Sequence, residues 1–158
     1  MTPRIEDCTS PRVNDARALL QEYGASLRLH LCFQDFEKEL AGLPGEYAPP
    51  TGRLLVAIQE DRLAGCVALR RIDERICEMK RLYVRPADRG TGLGRRLAEA
   101  VIAAAREIGY DRMRLDTMPS MTAAIGLYAS LGFTDTRPYR FNPVEGVRYM
   151  ELALTGSP

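Results

Sequence analysis

Residues 85–100 read RPADRGTGLGRRLAEA, with glycine at positions 90, 92 and 94. Glycine this dense admits left-handed backbone and lets another molecule come close to the main chain. The preceding stretch CEMKRLYV (77–84) reads as a strand, and it stops where Pro86 cannot donate to a ladder. The following stretch puts Leu93, Leu97, Val101, Ala104 and Ile108 on one helical face and closes at Gly109. Strand, glycine-rich turn and helix start therefore succeed one another. Free N–H groups at such a helix start favour an anion, and Arg85, Arg89, Arg95 and Arg96 add positive charge. A diphosphate is a sensible guest. A tight β–α connection that needs glycine only for its φ angles fits the same residues. Spacing disfavours two other phosphate loops. There is no Gly-Lys pair for G-x-x-x-x-G-K-[ST], and G-x-G-x-G late in the chain is not the G-x-G-x-x-G of a first dinucleotide-binding unit.

The rest of the chain supplies the partners of this unit. Pro3 to Cys8 reads as a first strand. Ser10-Pro11 reads as a helix start, with Val13, Ala16, Leu20, Tyr23 and Leu27 at helical spacing. A second helix is expected from about Leu31 to Leu40, and GLPGEYAPPTG (42–52) as a loop. Residues 53–86 read as three strands turning near Glu60-Asp61 and Asp73-Glu74, which would set Leu69 opposite Glu78. DRMRLDTM (111–118) is a further strand. Ser120 is a credible N-cap for a helix bearing Ala124, Leu127, Tyr128 and Leu131 and ending at Gly132. FTDTRPYRF and VRYMELAL complete the chain as two strands. The order β-α-α-β-β-β-α-β-α-β-β predicts an α/β fold, one domain over residues 1–158, with a mixed sheet flanked by helices.

A net charge of +1 gives no support for wrapping nucleic acid. One histidine and four cysteines without a C-x-x-C pair argue against a metal site of the Cys/His type. No apolar run approaches ~18 residues and no apolar leader opens the chain, so a cytoplasmic protein that does not enter membranes is expected.

The segment RLYVRPADRGTGLGRRL resembles motif A of the GNAT acyltransferase superfamily, [RQ]-x-x-G-x-[GA], with Arg89, Gly92 and Gly94 in its places. The resemblance extends back to CEMKRLYV and forward to AAIGLYASLGF, over about residues 50–134. It implies a GNAT fold with strands four and five splayed and about four helices. It implies acetyl-CoA as co-substrate and no metal. The pyrophosphate would sit on backbone amides from Arg89 through Gly90, Thr91, Gly92, Leu93 and Gly94 to Arg95. The pantetheine arm would pair with Leu82, Tyr83 and Val84. One position departs from the family pattern: Met121 stands where many members carry a cofactor-binding Asn, so that the contact either falls to Ser120 or Thr122 or is absent.

The resemblance also implies roles for side chains. Glu78 lies where some members carry a catalytic glutamate. Buried beside the donor it would have a raised pKa and could act as base through a water; pairing with Arg70 or Arg81 is the plainer alternative. Strict alternation sets Glu78 on one face with Ile76, Lys80 and Leu82, unless a bulge re-aims the strand. Tyr128 matches the tyrosine that protonates the departing thiolate, and it also shares a face with core residues. His30 lies where an acceptor site often forms. Tyr139, Asn142 and Tyr149 fall in the C-terminal hairpin and are candidates for touching the acceptor. The arginines at 70, 71, 75 and 81 read either as an anion patch or as a solvated sheet face. Cys77 has no nearby histidine to activate it. The implied activity is transfer of an acetyl group to a primary amine on a small molecule, by direct attack in a ternary complex. The alternatives are a protein N-terminus or lysine as acceptor, and a non-catalytic acetyl-CoA sensor. A homodimer that exchanges the C-terminal hairpin is compatible with this reading.

Overall fold

A computed structural model describes residues 3–8, 10–26 and 36–155. The strands are β1 (Arg4–Asp7), β2 (Arg53–Gln59), β3 (Arg62–Arg71), β4 (Ile76–Val84), β5 (Arg112–Thr117), β6 (Thr134–Asp135) and β7 (Arg148–Ala153). The helices are α1 (Val13–Ser26), α2 (Phe36–Ala41), α3 (Leu93–Ile108) and α4 (Thr122–Ser130). The strands form one sheet in the order β1-β2-β3-β4-β5-β7-β6. Only β4 and β5 run parallel, and α3 makes their crossover. The element order is the one expected, and the four helices agree with it.

Leu93, Leu97, Ala98, Val101, Ile102 and Ala105 of α3 are buried against Leu55, Val67, Leu69, Cys77, Met79 and Met113 of the sheet. Ala16, Leu19 and Leu20 of α1 cover the opposite face, where Leu54, Val56, Ile58, Cys66, Ala68 and Tyr83 point. Both faces of the central strands are therefore covered, which is why β2 and β3 read as continuous apolar runs. Loss of one such side chain, Leu97→Ala for example, leaves a cavity worth about 2–5 kcal/mol.

Two features of β4 position the site. First, β4 and β5 pair over only Ile76↔Arg112, Cys77↔Met113 and Glu78↔Arg114. Beyond Glu78 they part. Second, Cys66 pairs Tyr83 while Ala68 pairs Lys80, so β4 carries an extra residue there. The bulge is at Arg81, whose φ is +62°. Strict alternation fails at that point. Glu78 and Lys80 share the α1 face, but Leu82 and Val84 pack with the α3 core.

Three local expectations are corrected. Arg70, not Leu69, lies opposite Glu78, because Asp73 Oδ1 accepts the N–H groups of Arg75 and Ile76 and widens the turn by a residue. The N-cap of α4 is Met121 rather than Ser120, and no side chain caps the helix. The stretch 133–141 is a strand only at Thr134–Asp135. Beyond it the chain forms a strap whose side chains reach inward instead of across a ladder. The turn at Glu60-Asp61 does form as expected, with both residues at positive φ (50° and 63°). No helix among the described residues is long and apolar enough to cross a membrane.

Candidate active site

The glycine loop is held from behind. Arg85 N–H donates to Ala64 O at 2.8 Å, and the Arg85 guanidinium bonds Glu22 on α1. Asp88 is buried and takes a bidentate pair of bonds from Arg62 at 2.8 and 2.7 Å. Thr91 Oγ1 donates to Asp88 O at 2.7 Å. Gly90 and Gly92 have φ of 79° and 84°, and nothing lies within 4 Å of where either Cβ would stand. Gly92 is the N-cap of α3 and offers no side chain to its N–H groups, and the first turn has no acidic residue. A loop of this kind presents backbone donors and a positive helix end to an anion.

Where β4 and β5 part, a cleft of about 420 Å³ opens. Leu82, Tyr83, Val84, Arg89 and Gly94 line it. Ser120, Met121 and Thr122 form part of the facing wall at the start of α4, and Tyr23 and Ser26 close the α1 side. Gly90, Thr91, Gly92, Leu93 and Arg95 lie outside this lining. Leu93 points into the core, so only its backbone is available to a ligand. Arg95 bonds Ser130. Arg89 Nε donates to Val84 O at 2.9 Å, and its guanidinium lies 5.9 Å from the Tyr83 ring centre. Where the family Asn is replaced, Met121 Sδ accepts from Thr117 Oγ1 at 3.9 Å.

Past the bulge the surroundings become charged. Glu78 is completely buried. Arg70 Nε donates to Oε1 at 2.6 Å; Tyr139 OH and an Arg140 amine donate to Oε2 at 2.6 and 3.1 Å. Burial pushes the Glu78 carboxyl up, but Lys80, Arg70, Arg140 and the Tyr139 hydrogen bond together hold it below its ordinary value. The raised pKa expected for this residue is thus corrected: cations outweigh desolvation. Arg81 beside it makes a bidentate pair with Glu39 of α2 at 2.9 and 3.0 Å.

The profile of the acetyltransferase (GNAT) family matches residues 14–133. The chain belongs to this family. An uncharacterized N-acetyltransferase of Schizosaccharomyces pombe is 42% identical over 145 residues, covering 90% of this chain and 89% of the yeast protein. A GNAT-family acetyltransferase structure from Staphylococcus aureus superposes with a TM-score of 0.82 at 19% identity, over 98% of this chain and all of that one. The Salmonella typhimurium protein yncA, solved with its cofactor acetyl-CoA, superposes with a TM-score of 0.77 at 22% identity, over 100% and 97% of the two chains. The two structural likenesses show the GNAT fold.

In this GNAT chain Tyr128 is buried, its ring 5.8 Å from that of Phe133. Its phenol is pushed above its ordinary value, first by burial and then by Tyr23 and Asp116 across the strand gap. It stays protonated through the neutral range and can act as a donor. Tyr128 packs within the α3-side core and is not among the residues that line the cleft. Asn142 serves two ends: Nδ2 donates to Asp116 Oδ2 at 3.2 Å and Oδ1 accepts Val144 N–H at 3.0 Å. Tyr149 OH donates to Arg140 O at 2.9 Å. Arg70, Arg71, Arg75 and Arg81 each pair with a carboxylate and do not form a common anion site. Cys77 is buried, and burial pushes its thiol up to about 12, so it is no nucleophile. His30 lies outside the described residues. Among the described residues no group of three His, Cys, Asp or Glu could hold a metal. Residue-level reading overlooked Arg140 and Asp116. Arg140 sits far along the chain in an irregular strap, where no periodicity marks it.

Proposed function

We propose that this chain transfers an acetyl group from acetyl-CoA to a primary amine on a small molecule, by direct attack in a ternary complex. One observation carries the reading. A single cleft along β4 has a backbone anion cradle near one end and a buried charge cluster beyond the other. The donor's diphosphate would rest on the N–H groups from Arg89 to Arg95, and its arm along Leu82–Val84, where β4 has lost its partner strand. The thioester end would then lie beside the bulge at Arg81. Acetyl-CoA bound to the yncA protein supports this choice of donor.

Tyr128 supplies a proton to the departing sulfur, since its hydroxyl stays protonated. Glu78 holds the acceptor side together: its carboxylate ties β3, β4 and the strap at once. The strap supports a small acceptor over a polypeptide. Tyr139, Arg140 and Asn142 all bond inward toward β4 and β5, which narrows the route an extended chain would need. The test is a panel of amines and peptides with acetyl-CoA, read as thiol release. Turnover of small amines with inert peptides is expected. Preferred turnover of peptides would transfer the reading to a protein acceptor. Tight acetyl-CoA binding with no turnover would make the chain a sensor.

A further inference from the structure

Both carboxylate oxygens of Glu78 accept hydrogen bonds and its carboxyl is held below the ordinary value, which makes it a weak base for the acceptor's proton. Lys80 lies two residues on. It pairs Ala68 in the ladder, and Ala68 belongs to the core beneath α1, so Lys80 shares the face of Glu78. The last β4–β5 pair is Glu78↔Arg114. Lys80 is therefore the first residue on that face after the strands part. The bulge at Arg81 separates it from Leu82, where the lining of the cleft begins. Its place is between the charge cluster and the inner end of the donor cleft, and it is only 8% exposed.

Resting on the acetyltransferase reading above, we propose that Lys80 is the proton acceptor that frees the incoming amine. Its neutral Nζ takes a proton from the bound ammonium, R–NH₃⁺, giving R–NH₂ and a lysine ammonium. The freed lone pair forms a C–N bond at the thioester carbon and the C–S bond breaks. Tyr128 gives its proton to the sulfur and regains one from the nitrogen as the amide forms. The proton on Lys80 passes to solvent, so the sum is amide, thiol and one proton.

The surroundings suit that role. Among the described residues, the charged groups around Lys80 include Glu78 and Arg81 on β4, Arg70 on β3 and Arg140 on the strap; behind them stand Glu39 of α2 on Arg81 and Tyr139 on Glu78. Burial first, then the three guanidinium groups, bring the ammonium down from 10.5 to about 8, against the pull of Glu78. A base is most useful when its pKa lies near the working pH.

The test uses the full chain and the best alkylamine found in the panel, with its alkoxyamine analogue (R–O–NH₂), a much weaker base that is already neutral in the neutral pH range. Lys80→Met removes the base without adding volume; Lys80→Arg keeps the charge and removes the base. With the alkylamine, both should lose about 100-fold in kcat, with acetyl-CoA affinity by calorimetry unchanged. With the alkoxyamine the loss should shrink to within about 3-fold, since no proton need be removed before attack. Wild-type kcat should rise to a plateau through about pH 8, and the plateau should vanish in both variants. Glu78→Gln should move that limb to lower pH, because the carboxylate raises the lysine's pKa. Wild-type kcat and profile in the Lys80 variants would overturn the inference, and so would equal losses with both acceptors, which is what a structural lysine gives. A wild type inactive on every amine would overturn the acetyltransferase reading along with it.

Discussion

The two halves of β4 work by different means. From Leu82 to Val84 the strand has lost β5, and together with the glycine loop it offers mostly backbone groups to a ligand. From Glu78 to Arg81 it offers charged side chains: Glu78 is held by Arg70 across the hairpin and by the distant Tyr139 and Arg140, and Arg81 by the distant Glu39. The bulge at Arg81 is the border between them. The difference teaches that one end of a cleft can be built from main chain and glycine, while a charge cluster needs side chains that several elements must bring together. Backbone donors are set by φ and ψ, and charged side chains by packing.

The comparison can be broken at either end. The largest effect is expected at Gly92→Val. With φ at 84°, a β-branched residue is strained even though its Cβ would meet nothing. Acetyl-CoA affinity should fall about 100-fold by calorimetry, with the acceptor-side pH profile intact. An unchanged affinity would remove the diphosphate from this loop.

Next comes Glu78→Gln. It removes the charge that faces Arg70 and Arg140, both of which keep access to solvent, so about 2 kcal/mol is expected in urea unfolding. The sign with pH follows from the lowered folded pKa. The contribution of Glu78 is present above its ordinary 4.5 and is lost as pH falls through the folded value below that. Wild type should lose stability on that acid limb and the variant should lose less. Parallel acid limbs would show that Glu78 does not fasten the strap.

Tyr128→Phe should cost turnover about tenfold with acetyl-CoA affinity nearly unchanged. Normal turnover would make Tyr128 a packing residue like its neighbour Phe133. The smallest effect is expected at Arg75→Ala. Arg75 pairs Asp111 on the surface, outside both halves of the site. Its Tm should stay within about 1 °C of wild type and its kinetics should not move; a change in either would extend the charge cluster beyond β4.

Much of the backbone around Leu82–Val84 and the glycine loop could be read in the chain alone, because strand, glycine turn and amphipathic helix are consecutive and each carries a local signal. Gly90, Gly92 and Gly109 take the positive φ their positions implied, and Leu82, Tyr83 and Val84 line the cleft. The charge cluster was legible only in part. Glu78 stood out as a carboxylate in a strand, yet the sign of its pKa shift depends on Lys80, Arg70 and Arg140, and on Tyr139 too. Tyr139 lies 61 residues further on, within a stretch that reads as a strand and is not one. A single bulged residue was enough to move Leu82 off the face of Glu78, and one extra turn residue moved Arg70 opposite it.

By itself, then, the sequence determined the order of the elements, the covered sheet and the glycine cradle, because periodicity and backbone preference act over a few neighbouring residues. The tertiary structure alone decided how far β4 stays paired with β5, which face Leu82 takes, and which cations surround Glu78. Those depend on register and on contacts between residues distant in the chain, and a buried charge takes its energy from whatever surrounds it.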